Sequence, residues 1–233
     1  MRRFLRLPDI CILNRTAERA FRLAAVCIVL PCLLAGCADT APRVAAVRST
    51  VIFDYGTPDG LPQMRLAVFV QPLSDAARVK TIEVTHEASR LVWQIDDVRF
   101  AGIGSSVWTG SADLVPAYGE LIPTGPYDLH YIDAAERVTQ SRFTVRYPAQ
   151  LMQTATAAVR DVLGPAAKES VTLYAERDGT GTVLYYGPEK NEWRDTARLL
   201  SEYPGAASLQ KSLESADRTV LCILPPETIK EIP

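Results

Sequence analysis

The sequence predicts a mainly β protein: a β-sandwich over residues 50–148, followed by a small α+β unit over 149–233. Three observations predict it. Between Thr50 and Val145, short runs rich in β-branched and aromatic residues recur, separated by clusters of Gly, Pro and Asp. After Tyr147-Pro148 the apolar residues fall at helical spacing instead. The runs that follow then read as helix, strand, strand, helix and strand.

The first 36 residues stand apart from this pattern. They carry six arginines (Arg2, Arg3, Arg6, Arg15, Arg19, Arg22) against Asp9 and Glu18. A run of 12 uncharged, mostly apolar residues, Leu23 to Leu34, follows the last arginine and contains Pro31. A transmembrane helix needs roughly 20 apolar residues, so this run is too short to span. A basic segment, a short apolar segment and small residues after it make a secretory signal peptide over residues 1–36. The basic segment of 22 residues is long for such a leader, which fits a translation start downstream of Met1.

Leu34-Ala35-Gly36-Cys37 resembles the lipobox that ends bacterial lipoprotein signals. The resemblance implies cleavage before Cys37 and a diacylglyceryl thioether on its sulfur, with small residues giving a membrane peptidase access to the bond. It also implies attachment to an envelope membrane, since several acyl chains hold where one would be marginal. Ala38, where many inner-membrane lipoproteins have Asp, favours the outer membrane; the inner membrane stays open. Residues 37–49, small and polar with Pro42, read as a lipidated tether.

Charge and cysteines bound the remaining possibilities. The whole chain of 233 residues has a net charge of −2, but residues 37–233 hold 19 basic against 25 acidic side chains. An acidic body is a poor partner for nucleic acid, whose affinity rests on basic contacts to phosphate. Four of the five cysteines lie in the first 37 residues. Cys222 alone lies beyond, in the apolar run Thr219 to Leu224, and reads as a buried thiol. With Cys37 consumed by lipid, no internal disulfide is expected.

The strand runs follow in order. Thr50 to Tyr55 stops at the turn Gly56-Thr-Pro-Asp-Gly60; Met64 to Val70 and Val79 to Thr85 come next. Leu91 to Ile95 turns through Asp96-Asp97 into Val98 to Phe100. Gly102 to Ser106 reads as a loop, and Val107 to Leu121 as irregular or one short strand. Tyr127 to Ile132 places Tyr127, Leu129 and Tyr131 on one face, and Val138 to Val145 returns after a turn at Asp133 to Glu136.

This last hairpin, from Ile122 through Gly125-Pro126-Tyr127 to Val145, resembles the closing hairpin of immunoglobulin-like and fibronectin-type modules. The resemblance implies an immunoglobulin-like sandwich in which Tyr127 forms a tyrosine corner. No cysteine pair joins the sheets, which excludes an antibody-type domain.

Beyond Pro148, Leu151, Ala155, Ala158, Val159, Val162 and Leu163 share a helical face that Gly164-Pro165 ends. Val171 to Ala175 and Thr182 to Tyr186 flank the turn Asp178-Gly-Thr-Gly181. Glu189 to Leu200 reads as a second helix with Trp193, Ala197 and Leu200 on one side; Leu209 to Ser215 continues helically, and Thr219 to Leu224 closes as a strand. About 80 residues can just hold a core of their own.

Signals for chemistry are weak. His86-Glu87 and Asp96-Asp97 could share a metal only if the fold joins them; exposed strand positions are the simpler reading. His130 alternates out of the Tyr127 face. Ser208-Leu-Gln-Lys211 matches a Ser-x-x-Lys pattern without its companion motifs, and Gly102-Ile-Gly104 lacks the context of a dinucleotide loop. Tyr185 and Tyr186 must face opposite sides of one strand, and with Trp108 they are candidates for a protein or carbohydrate contact. The expectation is a non-enzymatic lipoprotein that binds a protein or another envelope component, with no cofactor and no metal. The alternatives are a periplasmic hydrolase using Asp96 or Asp97, and an accessory component of a transport system.

Overall fold

Strand by strand, the chain builds two sheets. The computed structural model describes residues 42–229 except 74, 105, 118, 119 and 180. The expected signal peptide, Leu34-Ala35-Gly36-Cys37, Ala38 and the first part of the expected tether lie outside the described residues. Strands β1 (Val44–Asp54), β2 (Gln63–Pro72), β3 (Val79–His86) and β4 (Val92–Ile95) come first. Then come β5 (Arg99–Ile103), β6 (Ser106–Leu114), β7 (Gly125–Asp133) and β8 (Val138–Val145). After Pro148 follow the short helix α1 (Val159–Leu163), β9 (Lys168–Tyr174), β10 (Val183–Gly187) and α2 (Thr196–Glu202). Strands β11 (Ser208–Glu214), β12 (Val220–Ile223) and β13 (Glu227–Thr228) finish the described chain.

The protein is mainly β. One sheet runs β10-β9-β11-β12-β1-β2-β6-β5, with β13 also paired to β11; the other runs β4-β3-β7-β8. All neighbours are antiparallel except β1 and β12, which run parallel with Val51 opposite Val220 and Asp54 opposite Ile223. The period-two pattern drives this. In β7 every second residue from Tyr127 to Asp133 is buried and the alternates are not. Leu66, Val68 and Val70 of β2 bury the same way, and meet Ile82, Val84, Leu129 and Tyr131 from the other sheet in one core.

Backbones come closest where β6 crosses β2. A β-bulge interrupts their register between Leu66 and Val68, and a Cβ at Gly110 would lie 2.0 Å from the Val68 carbonyl oxygen. Only glycine fits there.

The register defines two ends. Val44, Pro72, Ser106, Asp133 and Val138 lie at the end where β1 begins; Asp54, Gln63, Leu114, Gly125 and Val145 lie at the other. Val171 of β9 pairs with Lys211 of β11 and with Gly187 of β10. Ser212, next to Lys211, pairs with Ile223, which pairs with Asp54. Strand β10 therefore lies level with and beyond the Asp54 end.

Several sequence expectations change. The helix expected over 149–163 is reduced to 3-10 turns at Ala149–Gln153 and Thr156–Ala158 plus the five residues of α1. Leu209 to Ser215, expected helical, is strand β11, because β9 and β12 both pair with it. The second helix splits at Asp195, whose side chain caps α2; Trp193 and Leu199 face the core and Ala197 does not. Strand β1 begins at Val44, inside the stretch read as tether, and β6 makes the irregular stretch a nine-residue strand. The sheet continues across position 148/149, since β12 hydrogen-bonds to β1, and the described residues from Pro42 onward cluster as one compact unit. Leu151, Val159, Leu213, Val220 and Cys222 join the sandwich core, while Val171, Leu173, Trp193, Leu199, Ala206 and Leu209 form a second, smaller one.

Candidate functional site

The densest grouping of interactive side chains follows the β9–β10 hairpin. A bulge in β10 between Val183 and Tyr185 sets Tyr185 opposite buried Leu173, so Tyr186 falls on the other face, where it is 69% exposed. Tyr185 turns into the smaller core and its hydroxyl donates to the Pro188 carbonyl (2.9 Å). The 3-10 turn Asn191–Arg194 delivers Trp193, and the end of α2 delivers Tyr203.

The three rings meet edge to face or tilted: Tyr185–Trp193 at 4.8 Å, Tyr185–Tyr203 at 5.8 Å and Trp193–Tyr203 at 5.7 Å. Lys190 Nζ stands 5.6, 5.3 and 5.9 Å from the centroids of Tyr185, Trp193 and Tyr203. Glu202 pairs with that ammonium and also accepts from Trp193 Nε1 (3.0 Å). The bond to Glu202 pushes the Lys190 pKa up, and the bond from Lys190 pulls that of Glu202 down. Chemically this is an aromatic cage for a cation, filled by the chain's own lysine. Beside it β10 is the outer strand of its sheet, so one side of its backbone has no strand partner among the described residues.

The residues singled out in the sequence are scattered. Tyr127 is fully buried; its hydroxyl donates to the Pro123 carbonyl at 2.7 Å. Its ring stacks on Phe143 (5.3 Å, 12°), and His86 lies 4.7 Å away. His86 is itself buried, not exposed. Its Nε2 donates to the Thr124 carbonyl (3.2 Å) and its Nδ1 accepts from the Ser89 amide (3.1 Å). Because a carbonyl only accepts and an amide only donates, this pairing assigns the neutral Nε2–H tautomer.

Asp96 follows Ile95, which pairs with Ile82, four residues along β3 from His86. At about 3.4 Å per residue the two lie roughly 13 Å apart or more, so the fold does not join them. Asp96 is committed locally, accepting from Thr81 Oγ1 (2.8 Å) and Gln94 Nε2, bonds that hold its carboxyl below the usual range. Asp97 is exposed. His130 stands 3.6 Å from Glu83 on the outer face. Among the described residues no three His, Cys, Asp or Glu side chains are grouped to hold a metal.

Ser208 and Lys211 lie three apart on β11 and so face opposite sides. Ser208 donates to the Glu176 carbonyl (2.5 Å), and Lys211 pairs with Glu189 at 3.3 Å. Asp178 to Gly181 turns between β9 and β10, with Gly179 and Gly181 at φ +73° and +79°. Trp108 is buried in β6 rather than displayed in a loop, with the Arg48 guanidinium 4.6 Å above it. Sequence alone does not show the cage, because Lys190 and Glu202 carry no signal of their own; Tyr185 and Trp193 stand out there only separately, in a strand and on a helix face.

No family model matches the sequence, and no curated protein matches it significantly. Among the described residues no helix is long and apolar enough to cross a membrane.

Proposed function

We propose that this chain is a cell-envelope lipoprotein, anchored through lipid on Cys37, that binds a protein partner along β10. The observation that carries the partner site is the open edge of β10 with Tyr186 displayed upon it, beside the Tyr185–Trp193–Tyr203 cage. An unpaired strand edge offers backbone donors and acceptors to an extended segment, and an exposed aromatic adds contact area. The basic leader and Leu34-Ala35-Gly36-Cys37 support the anchor, and Ala38 supports the outer membrane as its location.

The sandwich itself is of immunoglobulin-like type on this reading. Strands β1, β2, β6 and β5 stand in the order of A, B, E and D, and β4, β3, β7 and β8 in that of C′, C, F and G. Tyr127 at the start of β7, bonded four residues upstream, matches a tyrosine corner, and buried Leu129 stands where an antibody domain has its second cysteine. Strands β9 to β13 are then an addition that prolongs the first sheet past β1.

Photocrosslinking in cells tests the partner site. With p-benzoylphenylalanine at Tyr186, irradiation is expected to give a discrete protein adduct, and the same probe at Arg99 is not. Equal yields at both positions would refute β10 as the binding edge.

A further inference from the structure

We infer that the Val44 end of the sandwich rests on the lipid surface, with Leu73, Phe100 and Val107 set into the interface. This rests on the proposed anchor at Cys37 and goes beyond it by fixing which face of the protein meets the membrane. Leu73, Phe100 and Val107 are 61%, 57% and 50% exposed and line one groove of about 650 Å³ with Pro72 and Ala77. The groove is formed by the end of β2, the turn before β3 and the β5–β6 hairpin, all at the Val44 end.

The path of the chain supplies the occupant. Leu73 N–H donates to the Arg43 carbonyl (2.8 Å), and Val44 pairs with Pro72, so the first described residues run beside the groove. Pro42 is buried and its carbonyl accepts from the Thr139 hydroxyl, which pins the last point before the tether. Cys37 lies five positions before Pro42. Fully extended, those five steps span at most about 18 Å, so a lipid on Cys37 holds Pro42, at the edge of the groove, within that reach of the bilayer.

Proximity changes what affinity is needed. A short tether gives an effective concentration of about millimolar, so a patch too weak to recruit a free protein can stay seated once anchored. Charges around the groove are mixed in sign, with Asp75 at its rim and the Lys80–Glu136 pair at the same end of the sheets. Seating is therefore apolar and insensitive to salt, unlike a polybasic contact. It also leaves β10, at the other end, pointing away from the lipid surface.

The full-length lipoprotein, reconstituted in vesicles of phosphatidylethanolamine and phosphatidylglycerol, tests this. One variant carries Ala77→Cys at the groove and another Tyr186→Cys at the far end, each labelled with nitrobenzoxadiazole; buried Cys222 stays unlabelled. Mass spectrometry of the N-terminal peptide reads the acyl chains on Cys37 separately. The label at 77 is expected to shift to the blue and lose emission to spin-labelled lipid at low and high salt; the label at 186 is not. Adding Leu73→Ser and Phe100→Ser should abolish both effects at 77 while Cys37 remains acylated. Acylated protein with both labels equally exposed to water would overturn the seating alone. A Cys37 without acyl chains would overturn the anchor and the seating with it.

Discussion

Replacing Tyr127 separates the worth of one hydroxyl from that of one ring. The hydroxyl makes a single bond, to the Pro123 carbonyl at 2.7 Å, in a place shut off from water. Tyr127→Phe removes that bond and strands the carbonyl, at a cost of about 1–1.5 kcal/mol. Tyr127→Ala also deletes a ring packed on Phe143, His86 and Trp93, for about 3–5 kcal/mol. For a unit of this size each kcal/mol moves the Tm by about 2–4 °C, so the two variants should fall in separate ranges. Urea titration of residues 38–233 by tryptophan fluorescence measures both, with an unchanged slope as the check that only stability moved. Tyr131 is the internal control: its buried hydroxyl has no hydrogen-bond partner among the described residues, so Tyr131→Phe should be neutral or stabilising by up to about 1 kcal/mol. Burial also pushes the Tyr127 hydroxyl well above the ordinary tyrosine pKa of 10. A raised folded pKa means that stability present below pH 10 is lost as the pH rises past it. The Tyr127→Phe penalty should therefore shrink above pH 10. Equal penalties for Phe at 127 and at 131, or an unchanged midpoint for Tyr127→Ala, would refute this reasoning.

Two further outcomes follow from burial and from the sheet. Burial pushes the Cys222 thiol up to about 12, and the Tyr55 hydroxyl, bonded to the Leu151 carbonyl, also to about 12. Each group ionises at lower pH in the unfolded chain than in the folded one, so stability should decline from about pH 9 towards 12, and the native thiol should ignore Ellman's reagent until the protein unfolds. Residues 149–233 expressed alone should show no cooperative thermal transition, because β12 loses β1, and Leu151, Val159, Leu213 and Val220 lose the core they share with the sandwich; a sharp calorimetric peak would show that the segment folds by itself.

What the sequence made legible was local. Alternation in Tyr127 to Tyr131 announces a strand with one buried face, and Gly125-Pro126 marks where it starts, so the closing hairpin could be placed almost to the residue. Leu209 to Ser215 could not, because Leu209 and Leu213 have helical spacing and the segment's strand state depends on β9, paired 36 to 46 positions back, and β12, paired 7 to 11 positions ahead. Partners, not propensity, decide such a segment. Trp108 was misplaced for a similar reason: glycines on both sides suggest a loop, whereas Gly110 is there because β2 passes too close for any Cβ. Of the cage only Tyr185 and Trp193 were legible, and only separately, since the meeting of Trp193, Tyr203 and Lys190 is made by a 3-10 turn and α2, whose ends no periodicity reveals.

The parallel pairing of β1 with β12 ties these parts into one mechanical piece. Thr50 donates to the Arg218 carbonyl across 168 positions, so the last strands cannot dock until the first is in place. Closing so long a loop is slow and entropically costly, and its reward comes only when Val51 and Phe53 are covered by Val220 and Cys222 as well as by the opposite sheet. The same pairing sets the load path. A pull on β10 passes through β9, β11 and β12 into β1, the strand whose other end leads to Cys37. On the proposed binding along β10, force would thus reach the proposed anchor at Cys37 through continuous strand pairing, without crossing a flexible linker between residues 148 and 149.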